Sequence, residues 1–274
     1  MSVKREPATP APTGPVVPAP AATLVLLRDR PLGGPEILLI QRHGKSKFAP
    51  GDHVFPGGMV EVDDDPPDAA SWCAGLDGER AASVLGATDG TRTALAHWIG
   101  VIREAFEEVG VLLAVDPAGR PPRIEPARLA DYRRACQKDH RAFWDLVRTE
   151  RLTLTTDRLV YFAHWITPEE NPIRFDVRFF AAPMPAGQEA EADEHEIVAV
   201  RWLSPREAFA AQDRKEISLR RPTVANLKLF ADAPSVSAAL AAVTGRDIPT
   251  IRPRVVTSPD GQVRALMPGD PGWY

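Results

Sequence analysis

The residues most able to do chemistry in this chain are three acids, Glu104, Glu107 and Glu108, which lie within five positions of each other. The run from Thr93 to Val109 has the apolar spacing of an amphipathic helix, and the acids fall on the arc opposite its apolar residues. We therefore predict that all three share one outward face. At spacings of three and four, like charges repel by about 0.2–0.5 kcal/mol per pair.

The predicted end of this helix adds to the electrostatic repulsion on the three acids. Gly110 is the residue type that follows a helix end, so the acids lie near the negative pole of the helix dipole. A cation should offset that arrangement, and clustered carboxylates are the ligands that Mg²⁺ and Mn²⁺ prefer. An acidic face that is simply solvated is the alternative, because such faces are common on amphipathic helices.

An upstream segment of glycines and basic residues suggests a ligand. Gly57 and Gly58 follow a strand-like run, and paired glycines let the backbone approach a ligand or a neighbouring helix, although an ordinary turn has the same composition. Arg42 and Lys47 belong to a short basic stretch before this turn. That stretch is either a solvated loop or a place where phosphates bind.

These pieces together resemble the signature of the Nudix hydrolases, which is a glycine, five residues, an acid, seven residues, then Arg-Glu-apolar-x-Glu-Glu-x-Gly-apolar. Gly58 supplies the first glycine, and the segment from Arg103 to Val111 matches the second part at every specified position. Two features depart from the signature. Asp64 stands where it has Glu, and residues 65–102 fill a space where it has seven residues.

A long insert at this point, with Asp at the first acidic position, is similar to the coenzyme A diphosphatase branch of the family. The upstream register keeps that branch's spacing through Leu38, Leu39, Ile40, Arg42, His43, Lys47, Gly51 and Phe55 to Gly58. Three residue types differ, since Ile40, His43 and Lys47 stand in place of Thr, a small residue and Arg. Lys47 keeps the charge but cannot grip a phosphate through two donors as Arg does.

The resemblance implies a metal-dependent hydrolase that cleaves the diphosphate linkage of coenzyme A or acyl-coenzyme A to 3′,5′-ADP and 4′-phosphopantetheine. It implies Mg²⁺ or Mn²⁺ bound by Glu104, Glu107, Glu108 and Glu196; catalytic roles for Glu107, Glu104, Arg103 and Glu194; and substrate binding by Arg42, Lys47, Gly57 and Gly58. Arg103 either orients Glu107, four positions on, or forms a surface ion pair with it. Glu194 and then Glu196 are the loop acids that we expect to act as a further metal ligand or general base.

Other readings of the same residues stay open. A pyrophosphatase acting on ADP-ribose, NADH or another nucleotide would keep the fold and the metal ions. A noncatalytic module that senses a nucleotide is less consistent with the sequence, because such modules usually lose the signature carboxylates and this chain retains all three.

Composition excludes several classes of protein. With 26% charged and 44% hydrophobic residues, the 274-residue chain is typical of a globular protein, and no apolar run approaches the 18 residues of a membrane span. A net charge of −4 argues against nonspecific nucleic-acid binding. We expect a small nucleotide diphosphate as the partner, with no nucleic acid and no membrane, and a homodimer stays open. Two cysteines and no secretory signal favour the cytoplasm.

The order of predicted elements indicates an α+β fold, because strands and helices mix without a regular βαβ alternation. With the resemblance, this predicts a Nudix-type α/β/α sandwich with a mixed sheet and a helical insert. We predict a disordered Pro- and Ala-rich tail at 1–20 and one domain at 21–274. The insert at 65–102 is expected to be an ordered lobe, and residues 205–274 to form C-terminal helices and a hairpin.

Overall fold

The computed structural model describes residues 16–31, 33–46, 49–86, 94–193, 195–257 and 262–273. The strands are β1 Ala19–Asp29, β2 Pro35–Arg42, β3 His53–Val54, β4 Gly57–Met59, β5 Ala114–Val115, β6 Thr153–Leu154, β7 Val160–Ile166, β8 Phe175–Pro183, β9 Ile197–Leu203, β10 Thr250–Ile251, β11 Arg254–Thr257 and β12 Val263–Leu266. The helices are α1 Gly78–Leu85, α2 Ala96–Val109, α3 Pro126–Lys138, α4 Ala142–Thr149, α5 Pro205–Asp213, α6 Arg221–Lys228 and α7 Val236–Val243. Within the described ranges, no helix has both the length and the apolar character needed to span a bilayer.

Most of the strands join one mixed sheet with β1 near its centre. The order is β10-β7-β8-β1-β2-β3, with β4 paired to β1 and β9 paired to β2. On one edge β1 runs parallel to β8. On its other edge it pairs antiparallel with β4 at positions 21–23 and with β2 at positions 27–29. The glycine strand β4 therefore lies beside the first half of the central strand.

Helices cover both faces of the sheet. Successive side chains of a strand point to opposite faces. On β1, Leu24 and Leu26 belong to the core beneath α2, α3 and α4, whereas Val25 and Leu27 belong to the core beneath α5, α6 and α7. Two layers of helices around a mixed sheet confirm the predicted α+β class and the α/β/α sandwich.

The boundary of the N-terminal tail differs from the prediction. β1 begins at Ala19, inside the predicted tail, because the Ala19 N–H donates to the carbonyl of Arg174 at 2.9 Å and the strand then pairs with β8. The Arg174 guanidinium also donates to the carbonyl of Val16. Residues 1–15 lie outside the described residues.

The described part of the 65–102 insert contains helical elements, as the fold prediction has it. A 3₁₀ turn at Ala69–Trp72 leads to α1, whose Ala81 is fully buried in the core beneath α2. The Ala74 N–H donates to the carbonyl of Leu154 at 2.9 Å, which ties this lobe to β6. The last residues of the nominal insert belong to the first turns of α2. That helix begins at Ala96, and the predicted start at Thr93 lies outside the described residues.

The C-terminal segment closes over the face of the sheet that carries α6. β10 pairs in parallel with β7, and the predicted hairpin follows as β11 and β12. The guanidinium of Arg221, at the start of α6, donates to the carbonyl of Ala265 in β12 at 2.7 Å. This bond holds the hairpin beside the first turn of α6.

Candidate active site

Helix α2 carries the three predicted acids in its last two turns. Gly110 follows it with a left-handed φ of 71°, which confirms the predicted helix end. Arg133 of α3 lies across that end, and its guanidinium donates to the carbonyls of Glu107 at 3.0 Å and Glu108 at 2.7 Å. A cation at a helix C-terminus stabilises it by about 0.3–1 kcal/mol. The expected offset to the dipole is therefore supplied in part by the protein itself.

The prediction that the three acids face outward is wrong. Glu108 is 5% exposed, and the side chains of Glu104 and Glu107 are 16% and 15% exposed. Strand β4 lies against this side of the helix, and the Gly57 N–H donates to Glu108 Oε2 at 2.8 Å. The polar side of α2 is thus buried against other polar groups.

Arg103 is buried and joins the acids into one network. Its Nε and Nη2 donate to the two carboxylate oxygens of Asp64 at 2.7 and 3.1 Å. Its Nη1 donates to Glu104 Oε1 at 2.9 Å and to Glu107 Oε2 at 3.2 Å, and Nη2 also reaches the Met59 carbonyl. Because Arg103 is only 2% exposed, the alternative of a surface ion pair with Glu107 is wrong.

The two glycines of β4 allow close approach to other elements. A Cβ added to Gly58 would lie 2.5 Å from the Cδ of Glu104. Of the two predicted reasons for glycine, approach to a ligand or to a neighbouring helix, the second therefore applies at Gly58. A Cβ added to Gly57, whose φ is 149°, would lie 2.3 Å from the carbonyl oxygen of Ala22 on β1. Gly57 therefore requires glycine for its backbone, whereas a side chain at position 58 would displace the Glu104 carboxylate.

Burial dominates the electrostatics of the acids. Burial raises the pKa of Glu107 to about 8, while the charge of Arg103 opposes that shift. Burial also raises the pKa of Glu104, and it raises that of Glu108, to which repulsion from Glu104 adds. Removing a carboxylate from water disfavours its charged form. A further cation at these oxygens would restore that form.

The chemistry of these donors fits a hard divalent cation. Carboxylate oxygens are its preferred ligands, and Glu107 Oε1 is buried without a hydrogen-bond donor among the described residues. The carboxylates are not assembled into a closed cage. No group of three or more His, Cys, Asp or Glu side chains in the described ranges is placed to hold an ion. Each acid is instead bonded to Arg103 or to the backbone of β4.

A cavity of about 750 Å³ opens beside the acids. Its acidic end is lined by Arg42, Gly57, Gly58, Glu104, Glu108 and Glu196. Arg42 Nη1 lies 3.8 Å from Glu108 Oε1, and Arg42 Nε is buried without a hydrogen-bond partner in the described residues. Two other predicted site residues, Lys47 and Glu194, lie outside the described residues.

The structure separates the predicted site residues into two groups. Glu104, Glu108 and Glu196 line the cavity, whereas Glu107 and Arg103 are not part of its lining among the described residues. In the acidic loop before β9, Asp193 Oδ1 accepts the backbone N–H groups of residues 195, 196 and 197 at 2.8–3.1 Å. Asp193 therefore holds Glu196 in place.

Two residues of the site network were not predicted. Arg133 has no signal in the sequence, because it reaches α2 from a helix that starts after the signature ends. Asp64 was noted only as a departure from the signature, and its paired bonds to Arg103 join residues 39 positions apart. The match to the signature was the one signal in the sequence that could have linked Asp64 to Arg103.

The chain is similar to several known proteins. Residues 82–229 match the model of the NUDT19 Nudix domain. The human protein named acyl-coenzyme A diphosphatase NUDT19 is 30% identical over 277 residues, covering 89% of this chain and 73% of that protein. Its chicken (Gallus gallus) counterpart of the same name is 30% identical, covering 86% and 72%. A Nudix hydrolase structure from Alicyclobacillus acidocaldarius superimposes with a TM-score of 0.69 at 24% identity, covering 84% of this chain and 99% of that one, and shows the same fold.

Proposed function

Because this chain belongs to the Nudix hydrolase family and matches its NUDT19 Nudix domain, we propose that it cleaves the diphosphate linkage of coenzyme A or acyl-coenzyme A. The products would be 3′,5′-ADP and 4′-phosphopantetheine, with any acyl group still attached. The observation that carries the proposal is the cavity, which has Glu104, Glu108 and Glu196 beside Arg42 and an apolar lining along β7 and β8. Coenzyme A has a matching division into a charged diphosphate and a long, less polar arm.

The acids at the cavity are the proposed metal ligands. Nudix hydrolases generally need divalent metal ions, and the all-oxygen donor set here favours Mg²⁺ or Mn²⁺. Glu104 and Glu108 would bind the ion from α2, with Glu107 behind them and Glu196 from the loop before β9. A bound divalent cation neutralises charge on the diphosphate and lowers the pKa of a bound water.

The remaining residues position the reactants. Arg42 would donate to a phosphate oxygen, because its Nε has no protein partner among the described residues and its Nη1 is already near Glu108. Arg103 fixes the rotamers of Glu104 and Glu107 through Nη1, so it acts as a positioning residue. Glu194 and Glu196 are the proposed acceptors for the proton of the attacking water.

A product assay tests the proposal. Coenzyme A, acetyl-coenzyme A, NADH and ADP-ribose are each incubated with the protein and Mg²⁺ or Mn²⁺, and products are separated by chromatography. We expect release of 3′,5′-ADP from the first two substrates, and we expect EDTA to stop it. Rapid cleavage of ADP-ribose without cleavage of coenzyme A would replace the proposed substrate. Binding of these nucleotides without any cleavage would indicate a noncatalytic module.

A further inference from the structure

The cavity beside the acids continues into an apolar part, and we propose that this part binds the pantetheine arm of the substrate. In this arrangement, the indole N–H of Trp165 donates to an amide carbonyl of the arm. The inference rests on the proposed function, and it assigns each half of the substrate to one end of the cavity.

A row of residues across the sheet forms the floor of the apolar part. Ala21 on β1 is paired with Met59 on β4 and with Val177 on β8. Val177 is paired in turn with Trp165 on β7. Residues directly opposite each other on neighbouring strands share a face of the sheet, and all four line the cavity. Since strands lie about 4.8 Å apart, Trp165 is three strands, or roughly 14 Å, from the glycine strand.

Apolar side chains also form the opposite wall. Leu219 before α6, Pro222 in its first turn, Pro253 before β11 and Ala265 in β12 line the cavity, and the neighbouring polar residues Arg220, Arg221 and Thr223 line it as well. The bond from Arg221 to the carbonyl of Ala265 joins α6 to β12 on this side of the cavity. Ligand sites of this kind are mostly apolar, with a few polar groups that fix the orientation of the ligand. The walls therefore suit an elongated chain with few polar atoms.

Trp165 supplies such a polar group. Its side chain is buried, with the residue 4% exposed, and its Nε1 has no hydrogen-bond partner among the described residues. A buried indole N–H usually finds an acceptor, so an unpaired one on a residue that lines a cavity is the donor that we assign to the ligand. Pantetheine has two amide groups along its length, and their carbonyl oxygens are acceptors of the required type.

The opposite side of the acids is cationic and suits the 3′,5′-ADP half. Arg42 ends β2, and its backbone N–H donates to the carbonyl of Asp52 at 3.1 Å. The guanidinium of Arg220, another lining residue, donates to the carboxylate of the same Asp52 at 2.6 Å. Both arginines thus lie on the β2–β3 side of the sheet, whereas Trp165 lies on the β7 side. Phosphate groups would bind nearer the arginines, which leaves the apolar side to the arm.

The direct test follows the indole N–H signal of Trp165 by NMR, with Mg²⁺ present. The Trp165→Phe variant identifies the signal by its loss. The two products, 4′-phosphopantetheine and 3′,5′-ADP, are then added separately to the wild-type protein. We expect 4′-phosphopantetheine to shift the signal downfield and 3′,5′-ADP to leave it in place. A shift caused by 3′,5′-ADP, or no shift with 4′-phosphopantetheine, would overturn the inference.

A kinetic comparison separates this inference from the proposed function. Trp165→Phe keeps an aromatic ring but removes the N–H donor, so kcat/KM for coenzyme A should fall roughly tenfold. The matched control is Trp202→Phe, because the Trp202 ring lies 4.2 Å from the guanidinium carbon of Arg28 and does not line the cavity. The control should retain wild-type kcat/KM, and both variants should unfold at the wild-type temperature.

Wild-type activity in Trp165→Phe would overturn the inference and leave the function standing. A wild-type protein that released no 3′,5′-ADP from coenzyme A would overturn both, and the product assay on the unmodified protein reveals that case independently of any variant.

Discussion

Gly58 on β4 lies directly against the carboxylate of Glu104 on α2, and an added Cβ would come within 2.5 Å of Glu104 Oε1. The atoms in conflict belong to the end of a flexible side chain. A residue larger than glycine would therefore move the carboxylate before it moved the backbone.

We predict that Gly58→Ala abolishes most of the hydrolase activity while leaving the protein folded. Glu104 would have to leave its place beside the cavity, whereas the free energy of unfolding should change by about 1 kcal/mol or less. Activity assays and urea denaturation measure the two effects. Gly44→Ala is the control, because a Cβ there meets nothing within 4 Å. Full activity in Gly58→Ala would show that the position of Glu104 does not matter.

Substitution of the neighbouring glycine, Gly57, should lower the stability of the fold, unlike substitution of Gly58. In Gly57→Ala the new Cβ would meet the carbonyl oxygen of Ala22 at 2.3 Å, at a φ of 149° that other residues rarely adopt. Backbone would have to shift, so we expect a loss of about 2 kcal/mol or more in the free energy of unfolding. Urea denaturation of both glycine variants side by side checks this. Equal stability would contradict the pairing of β4 with β1.

The ion pair of Asp64 with Arg103 should be important for stability. Both side chains are buried, and removing one partner of a buried pair costs about 3–5 kcal/mol. Asp64→Asn keeps the shape and removes the charge, so we expect a loss of about 3 kcal/mol by urea denaturation. Asp63→Asn is the matched control, since the Asp63 side chain is 44% exposed. A similar small change in both variants would refute the role of this pair.

Neutral substitutions of the acids should separate activity from stability. Glu107→Gln and Glu108→Gln should each abolish turnover and weaken binding of Mg²⁺ or Mn²⁺ in titration calorimetry, because each removes a charged oxygen donor. Neither should destabilise the fold, since burial already disfavours the charged carboxylates. The control is Glu79→Gln on the exposed side of α1. Unchanged turnover in either active-site variant would count against the proposed mechanism.

His97 should make the protein less stable in mild acid. Burial, together with the nearby charge of Arg178, lowers the pKa of His97 to about 4. Because the unfolded state binds this proton near pH 6.5, stability is lost as the pH falls from about 6.5 towards 4. The shift corresponds to about 3 kcal/mol. Urea denaturation between pH 7 and pH 4 should show a shallower decline in His97→Gln. Parallel curves for the two proteins would contradict this.

The sequence was most informative where local geometry decides the structure. Gly110 marks the end of α2 because few other residues adopt a φ of 71° easily, and that prediction needs no knowledge of the rest of the fold. The overlap of β1 with the predicted tail arises from pairing with β8, more than 150 residues away in the chain.

The orientation of the acids could not be predicted from the helix alone. The polar arc of an amphipathic helix usually faces water, but α2 has Arg103 and β4 against its polar arc. Arg103 lies on the helix itself, whereas its partner Asp64 and the donor at Gly57 come from distant positions. Periodicity describes one element at a time, so it cannot identify what packs against the polar side.

The contact between Asp64 and Arg103 also affects how freely the chain between them can change. It fastens Asp64 to α2, so the segment 65–95 that precedes the helix forms a loop held at both ends. The entropy of closing a flexible loop rises with the logarithm of its length, so a twofold extension costs only about 0.6 kcal/mol. A longer segment, or even an additional module, could therefore be inserted between Asp64 and α2 without displacing the acids of the helix.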